Sequence, residues 1–299
     1  MKSTKLLAFF VALTLLFAVG CSSMEDVVGQ ATGSTPSVEI PGDFDFRSIP
    51  EFSGKGYVVI NNNVPYFTEE DYTTESYETY GNLDSLGRCT SCIACIGKDL
   101  MPTEERSQIS SVKPTAWHYD KYDFIDGELL YNRCHLIAYQ LTAENANEEN
   151  LITGTHYLNE TMQKFEHLAG DYVRETGNHV LYRVTPIFVG DDLLCRGLLM
   201  EGYSVEDKGH AVQFNVFCYN VQPKVSIDYA SGDNVKAGES LEDKANEENT
   251  YILNVKSKKF HRPDCEGVED IYKGNRQTYT GTRAKLVKDG YIPCGICQP

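Results

Sequence analysis

The middle of the chain combines one helical pattern with three strand patterns, and few folds accommodate that combination. Apolar residues recur at helical spacing from Leu158 to Val173, which predicts an amphipathic helix that ends near Gly177. Strand-like runs separated by short polar turns follow at 180–189, 193–203 and 212–221. We therefore predict an α+β fold in which an antiparallel meander supplies the central sheet.

A shorter strand pattern opens the folded region. Residues 57–60 and 64–67 flank the turn Asn61–Asn63, which predicts a β-hairpin. Residues 87–96 predict a further strand. Together with the helix and the meander, these elements predict one domain over residues 45–230.

The N-terminus carries the pattern of an export signal. Lys2 and Lys5 precede an apolar run that ends just before Cys21. This arrangement is similar to bacterial lipoprotein signals, in which the cysteine is lipidated and anchors the mature chain to a membrane. A plain secretory signal and a short membrane anchor are the alternatives, and all three export the chain. We therefore predict a signal peptide at 1–21, a flexible tether at 22–44, and a lipid-anchored location at the bacterial cell surface or envelope.

Charge limits how the chain can bind a polyanion. Its 299 residues include 27 lysines and arginines against 43 aspartates and glutamates, which gives a formal net charge of -16. Such a surface repels phosphate on average. A nucleic acid partner would therefore need local contacts through a few arginines and a bound cation, because the sequence supplies no basic coat.

The stretch "YNRCH" at 131–135 places a histidine where a strand pattern meets a helix pattern. His135 would project from a rigid junction, and an imidazole titrates close enough to neutral pH to act as a general base. The alternative is a structural histidine that packs among its apolar neighbours. Motifs further along the chain favour the catalytic interpretation.

Several motifs follow one another in a fixed order around this histidine. They are "YNRCH", "NLITGTHYLN" at 150–159, a glutamate at 166, "GNHVLYRVTPIF" and "FNVFCYNVQP". This series, from about residue 55 to 232, resembles the DNA/RNA non-specific endonucleases, the His-Me finger or ββα-metal nucleases, and most closely their bacterial DNA-entry type. The resemblance implies a His-Me finger fold and hydrolysis of DNA, with RNA as a second substrate, that depends on Mg²⁺ (or Mn²⁺) and not on base sequence.

The resemblance also implies roles for individual residues. His135 corresponds to the general base, Asn159 to the direct protein ligand of Mg²⁺, and Asn150 to a supporting residue. Glu166 would act on the metal through water, and Arg133 matches the arginine of the family's Asp-Arg-Gly-His pattern. Since seven residues separate Asn159 from Glu166, the two share a helix face but lie about 10 Å apart along its axis, which fits an indirect role for the glutamate.

Two positions depart from the family pattern. Asn132 and Cys134 replace the usual aspartate and glycine on either side of the arginine. The first functional hypothesis is an exported endonuclease, and these departures keep an alternative open, in which a surface lipoprotein binds nucleic acid without cutting it. Arg106 is a further candidate for a phosphate contact.

The last part of the chain contains a set of metal-ligand residues. A polar, acidic stretch at 231–249 predicts a linker, and a small module at 250–299 follows it. The module supplies four ligands, the number that a closed zinc site needs: His261, Cys265, Cys294 and Cys297. It resembles the metal-binding domains of Ada-type repair proteins. A disulfide among the cysteines is the alternative, and a zinc-dependent adhesion protein is a third hypothesis for the chain.

The remaining cysteines carry weaker signals. Cys89, Cys92 and Cys95 have a spacing used for iron-sulfur clusters, but on a strand Cys92 would face away from the other two, so the thiols would not converge. Cys195 and Cys218 lie almost opposite each other across a predicted turn. We interpret them as buried neighbours or as a disulfide.

Overall fold

An antiparallel sheet of six strands lies at the centre of the structure, a computed structural model that describes residues 44–297 and 299. The predicted signal peptide and all but the last residue of the predicted tether lie outside this described part. In chain order the strands are β1 (Tyr57–Val59), β2 (Tyr77–Tyr80), β3 (Cys92–Ile96), β4 (Tyr131–His135), β5 (Leu151–Thr155), β6 (Val180–Ile187), β7 (Gly197–Ser204), β8 (Gln213–Tyr219), β9 (Val225–Ile227), β10 (Asn234–Lys236), β11 (Glu248–Asn254), β12 (Lys259–His261), β13 (Arg276–Thr282) and β14 (Ile292–Pro293). The helices are α1 (Tyr139–Thr142), α2 (His156–Thr176), α3 (Leu241–Asn246) and α4 (Arg283–Lys288). Short 3-10 helices occur at Phe46–Ser48, Asn61–Asn63, Glu148–Asn150, Glu266–Val268 and Lys273–Asn275.

The predicted meander is confirmed. Strands β6, β7 and β8 pair antiparallel in the middle of the sheet, whose order is β1-β8-β7-β6-β3-β2. All eight residues of β6 are buried. They are covered on both faces of the sheet. Helix α2 packs on one face, and on the other Leu181 packs in a cluster with Phe67 and Tyr72 while Ile187 packs in a cluster with Phe46 and Phe52.

Helix α2 is the amphipathic helix that the sequence predicts. Its apolar face, which includes Leu158 and Phe165, is buried in the main core against the sheet. The Thr155 hydroxyl accepts a hydrogen bond from the Leu158 N–H at the start of the helix, and Gly177 ends it in the left-handed conformation. Since the apolar face is used for packing, a polar flank of α2 is left to border a cleft.

A separate pair of strands leads directly into α2. Strands β4 and β5 are antiparallel, with His135 opposite Leu151, and β5 runs into the helix at Thr155. Cys134 points from β4 into the main core, beside Gly154 on β5. A Cβ on Gly154 would stand 2.5 Å from the Cys134 sulfur. The glycine on β5 therefore makes the space that the cysteine on β4 fills.

The hairpin predicted at 57–67 is wrong. Strand β1 pairs with β8 at the edge of the central sheet, and residues 64–67, all of them described, form no strand. A side chain holds this segment instead, because the buried Glu201 carboxylate accepts a hydrogen bond from the Tyr66 N–H at 2.6 Å. The chain after the asparagine turn thus crosses the sheet rather than pairing with β1.

All nine cysteines of the described residues are free and buried. Strand β3 begins at Cys92, later than predicted, so the strand alternation does not extend back to Cys89. Cys89 and Cys92 therefore share the main core while Cys95 lies in a different apolar cluster, which corrects the expected arrangement of the three. Cys195 and Cys218 are also free thiols of the main core.

The C-terminal residues form a second sheet, of four strands in the order β13-β11-β12-β14. The stretch 231–249, predicted as a linker, contains helix α3 and strand β10, which pairs with β9. Lys244 donates a hydrogen bond to the Asn234 carbonyl at 2.6 Å and so ties α3 to β10. Over the residues described, no helix combines the length and the apolar character that a bilayer crossing requires.

The size match between Cys134 and Gly154 leads to a first prediction. Gly154→Ala should lower the free energy of unfolding by about 1 to 3 kcal/mol, because the added methyl group overlaps a sulfur that the core holds in place. In a Cys134→Ala background, Gly154→Ala should lower the free energy of unfolding by a smaller amount, since the sulfur that the methyl group overlaps is absent. Urea unfolding of the wild type, the two single variants and the double variant measures this coupling. Strictly additive effects would contradict the packing argument.

Candidate active site

A cleft of about 760 Å³ opens beside strand β4 and helix α2. Four site residues predicted from the sequence border it: Arg133, His135, Asn159 and Glu166. Arg106, the candidate for a phosphate contact, borders it as well. The fold thus brings an imidazole, a carboxamide, a carboxylate and two guanidinium groups from separate parts of the chain to one place.

Two hydrogen bonds define where the proton of His135 resides. Its Nδ1 lies 3.3 Å from a guanidinium nitrogen of Arg106, which can only donate, so Nδ1 accepts. Nε2 then carries the proton and donates it to the Asn145 carbonyl at 2.8 Å. Burial lowers the pKa of the imidazole, and the Arg106 charge adds to this, although the bond to Asn145 acts in the opposite direction. The ring is therefore neutral at pH 7, with a lone pair on Nδ1.

Asn150 acts on the backbone that follows His135. Its side chain accepts a hydrogen bond from the Ile137 N–H at 2.8 Å and donates one to the Ile137 carbonyl at 2.9 Å. Its own carbonyl accepts from the Leu136 N–H at 2.8 Å. The residue is completely buried and stands behind the cleft rather than at its surface. Its contacts fix the chain where β4 ends, which fits the supporting role expected from the sequence.

Helix α2 contributes a carboxamide and a carboxylate. Asn159 lies near its start and Glu166 about two turns later, with Gln163 between them on the same flank of the cleft. Glu166 is only 8% exposed, and this burial raises the pKa of its carboxyl to about 7, because the Arg106 charge and a hydrogen bond with Gln140 offset only part of the desolvation. A cation beside Glu166 would relieve the cost of its ionised form.

Arg133 is held rigidly at the cleft. Its Nε donates to the Val112 carbonyl at 2.5 Å, and its guanidinium lies over Trp117, 4.0 Å from the ring centroid. Of the two departures from the family pattern, Cys134 turns into the core and leaves the cleft untouched. Asn132 borders the cleft with a buried amide nitrogen that finds no hydrogen-bond partner within the described chain. A phosphate oxygen or a water would satisfy this donor.

Several residues that border the cleft have no signature in the sequence. Lys113, Trp117 and Tyr119 come from the segment before β4, and Glu266 and Ile296 come from the C-terminal module. No local pattern marks them, since only the fold brings them beside β4 and α2. Covariation with residues of those two elements is the signal that could have found them.

A family comparison covers the segment that supplies most of this cleft. Residues 68–206 match the family model described as DNA/RNA non-specific endonuclease. The matched stretch contains β4, β5 and α2, and with them each predicted residue of the cleft. The protein is a nuclease. Its substrate is therefore a nucleic acid.

Solved structures of NucA from Streptococcus agalactiae share the fold of this nuclease. The NucA structure with a magnesium ion bound is 24% identical to the nuclease, with a TM-score of 0.54, over 60% of this chain and 87% of that one. The structure with no metal bound has the same identity and coverage and a TM-score of 0.53. Both support the α+β architecture with its central antiparallel sheet. Among curated proteins, none is similar enough to the nuclease to count as a match.

The nuclease carries a second cluster of ligand residues in its C-terminal part. One ligand atom of each residue lies within 4.8 Å of the others: His261, Cys265, Cys294 and Cys297. The Arg262 N–H donates to the Cys297 sulfur and the Ile296 N–H to the Cys294 sulfur, both at 3.3 Å. Burial favours the neutral thiol at Cys294, but backbone hydrogen bonds outweigh it and lower the pKa. The four side chains converge as expected and could hold a metal ion.

The pKa of Glu166 leads to a second prediction. Because the folded pKa (about 7) exceeds the ordinary value of 4.5, the stability linked to this group is present below pH 4.5 and is lost as the pH rises through 7. Without added Mg²⁺, the wild type should therefore lose up to about 3 kcal/mol relative to Glu166→Gln between pH 5 and pH 8. Urea unfolding at both pH values measures the difference. A parallel pH dependence in the two proteins would contradict the burial argument.

Proposed function

We propose that this nuclease is an exported, Mg²⁺-dependent endonuclease that hydrolyses the phosphodiester bonds of DNA, and of RNA as a second substrate, without sequence preference. The observation that carries the proposal is the neutral imidazole of His135, which borders the same cleft as Asn159 and Glu166 and whose unprotonated Nδ1 lies beside Arg106. A buried histidine in this state can accept a proton at neutral pH. The nearby oxygen ligands suit a hard cation.

His135 acts as the general base in the proposed reaction. When Arg106 donates to a phosphate oxygen in place of Nδ1, this nitrogen can take a proton from a water molecule as the water oxygen bonds to phosphorus, and the bond from phosphorus to the 3′ oxygen breaks on the opposite side. The products are a 5′-phosphate and a 3′-hydroxyl, whose proton comes from solvent. The hydrogen bond to the Asn145 carbonyl keeps Nε2 protonated and stabilises the imidazolium that forms.

Asn159 would hold Mg²⁺ directly, and Glu166 would act on the ion through a bound water. A carboxamide oxygen is a donor that this ion accepts, and Mg²⁺ commonly keeps several waters, so a site with few protein ligands is sufficient. The raised pKa of Glu166 supports the assignment, because a buried carboxylate of this kind gains from a cation. When bound, the ion neutralises charge on the phosphate and on the departing oxygen. Mn²⁺ has the same ligand preference.

The arginines of the cleft would hold the phosphate backbone. Arg106 lies beside His135, and Arg133 is fixed on Trp117, so both present charge at defined positions. Contacts of this kind read phosphates rather than base edges, so the cleavage that we propose would not depend on base sequence. They also suit a protein with a net charge of -16, because they require positive charge only at the cleft.

We also propose that the C-terminal cluster binds Zn²⁺. Three sulfurs and one imidazole nitrogen form a complete set of ligands for a closed tetrahedral site. Backbone N–H groups that donate to two of the sulfurs favour their thiolate form. The ion would join β12 to the C-terminal loop and stabilise a small module that has little apolar core.

We also propose a location for the nuclease on the basis of its N-terminal sequence. The apolar run before Cys21 supports export and a lipid anchor, which would place the catalytic domain outside the cytoplasm on a tether. Extracellular DNA would then be within reach of the cleft.

Cleavage of plasmid DNA tests the proposed function. The purified nuclease should nick and linearise supercoiled plasmid with Mg²⁺ and not with EDTA. His135→Ala should lower the rate by about 100-fold to 10,000-fold, since it removes the base and leaves the fold intact. His210→Ala is the matched control, because this histidine is exposed on the turn between β7 and β8. A normal rate in His135→Ala would move the chemistry to another group.

Asn159→Ala tests the metal site. We expect a higher Mg²⁺ concentration at half-maximal rate and partial recovery of the rate at high Mg²⁺, because one neutral ligand contributes more to the affinity and position of the ion than to the reaction itself. Glu160→Ala on the exposed side of α2 should keep the wild-type dependence. An unchanged Mg²⁺ titration in Asn159→Ala would remove this residue from the site.

A further inference from the structure

The C-terminal module forms part of the active-site cleft. Glu266 and Ile296 border the cleft that contains His135, and the Gly295 carbonyl accepts a hydrogen bond from Lys113 at its edge. Ile296 is 43% exposed, so its apolar side chain is accessible from the cleft. These residues come from the opposite end of the chain to α2 and β4, so the cleft has a wall that the nuclease domain does not supply.

The loops that make this wall also carry the predicted zinc ligands. Glu266 follows Cys265 directly, while Gly295 and Ile296 lie between Cys294 and Cys297. The Ile296 N–H donates to the Cys294 sulfur, so the ligand cluster determines the position of the wall residue. A metal ion in the cluster would therefore fix the wall, and loss of the ion would release it.

Polar contacts to Asp120 attach the module, through Arg262, and the stretch at 231–249 that precedes it. One oxygen of its carboxylate lies 3.2 Å from an Arg262 guanidinium nitrogen and 3.6 Å from the Lys244 ammonium group. The other oxygen accepts a hydrogen bond from the Asn234 side chain at 2.8 Å. Asp120 follows Tyr119, which itself borders the cleft. The attachment point thus lies next to the wall.

The lining of the cleft suits an unpaired strand. Tyr119 and Tyr139 are half-buried at its surface, and Arg106, Lys113 and Arg133 lie among them. Aromatic faces that stack on bases, combined with cations that follow the backbone, are the features by which proteins bind single-stranded nucleic acid. The volume of about 760 Å³ corresponds to a few nucleotides of one strand.

We infer that the C-terminal module is the second wall of the substrate cleft and that it makes the nuclease selective for single-stranded or locally unpaired nucleic acid over duplex. The inference rests on the proposed nuclease site and specifies its substrate class. A duplex presents a second backbone and a stiff stack of base pairs to the wall. Ile296 excludes the stack by its bulk, and the Glu266 carboxylate repels the second row of phosphates. A single strand bends between the walls.

The test compares one oligonucleotide of about 20 residues, single-stranded or annealed to its complement, as substrate and as ligand. The first measurement is the ratio of kcat/KM for the two forms. The second is the ratio of their dissociation constants, obtained by fluorescence anisotropy in a His135→Ala background, where no cleavage interferes. The wild type should favour the single strand by about tenfold or more in both, as expected from stacking on the aromatic lining.

Three changes should reduce both ratios at least about fivefold. Glu266→Ala/Ile296→Ala removes the wall side chains, and Cys294→Ser/Cys297→Ser removes two ligands and should also abolish the bound zinc, measured by elemental analysis. Asp120→Asn weakens the attachment of the module and leaves all four zinc ligands in place. It therefore tests the inference even if the cysteine variant does not fold. Ile292→Ala is the matched control, because this isoleucine is exposed on the same module but does not border the cleft.

Two results would overturn the inference: equal use of both forms by the wild type, or ratios that stay at the wild-type value in the wall and attachment variants. A failure of the proposed function is a different result, namely a wild type that cleaves neither form. The binding ratio in the His135→Ala background would still decide the role of the wall in that case.

Discussion

The burial of one face of α2 against the central sheet is the interaction on which the rest of the molecule depends. Leu158, Met162 and Phe165 enter the main core, and this fixes both the rotation and the depth of the helix. The polar flank that remains can then face only one way, toward β4. Asn159 and Glu166 reach the cleft for this reason, and a helix rotated by one residue would remove them from it.

The same packing explains why so much of the fold is predictable from the sequence. The hydrophobic periodicity of α2 and of the meander strands is a local property of the sequence. In β6, for example, all eight consecutive residues are buried. The path of the segment at 57–67 is not predictable from local periodicity, because long-range contacts decide it. Glu201, which is far away in the sequence, accepts a hydrogen bond from the Tyr66 N–H. The sequence of the segment itself does not predict this hydrogen bond.

The candidate site is predictable only in part. His135, Asn159 and Glu166 stand in motifs, and the structure places all three at one cleft. The proton position on His135 depends on Arg106 and Asn145, whose contacts with the ring are set by loops. The departure at Cys134 looked like a defect of the site when only β4 was considered. Its explanation is Gly154 on the neighbouring strand, which leaves the space that the cysteine side chain fills.

The state of the cysteines bears on how the chain reaches its native form. Nine thiols end up reduced and shielded, several of them within a single core that includes Cys89, Cys92, Cys134, Cys195 and Cys218. Burial raises the pKa of the Cys89 thiol to about 12, which keeps it inert once it is covered. Before that, each thiol is open to oxidants. For the exported protein that we propose, collapse around α2 must therefore finish before any wrong sulfur–sulfur bond forms.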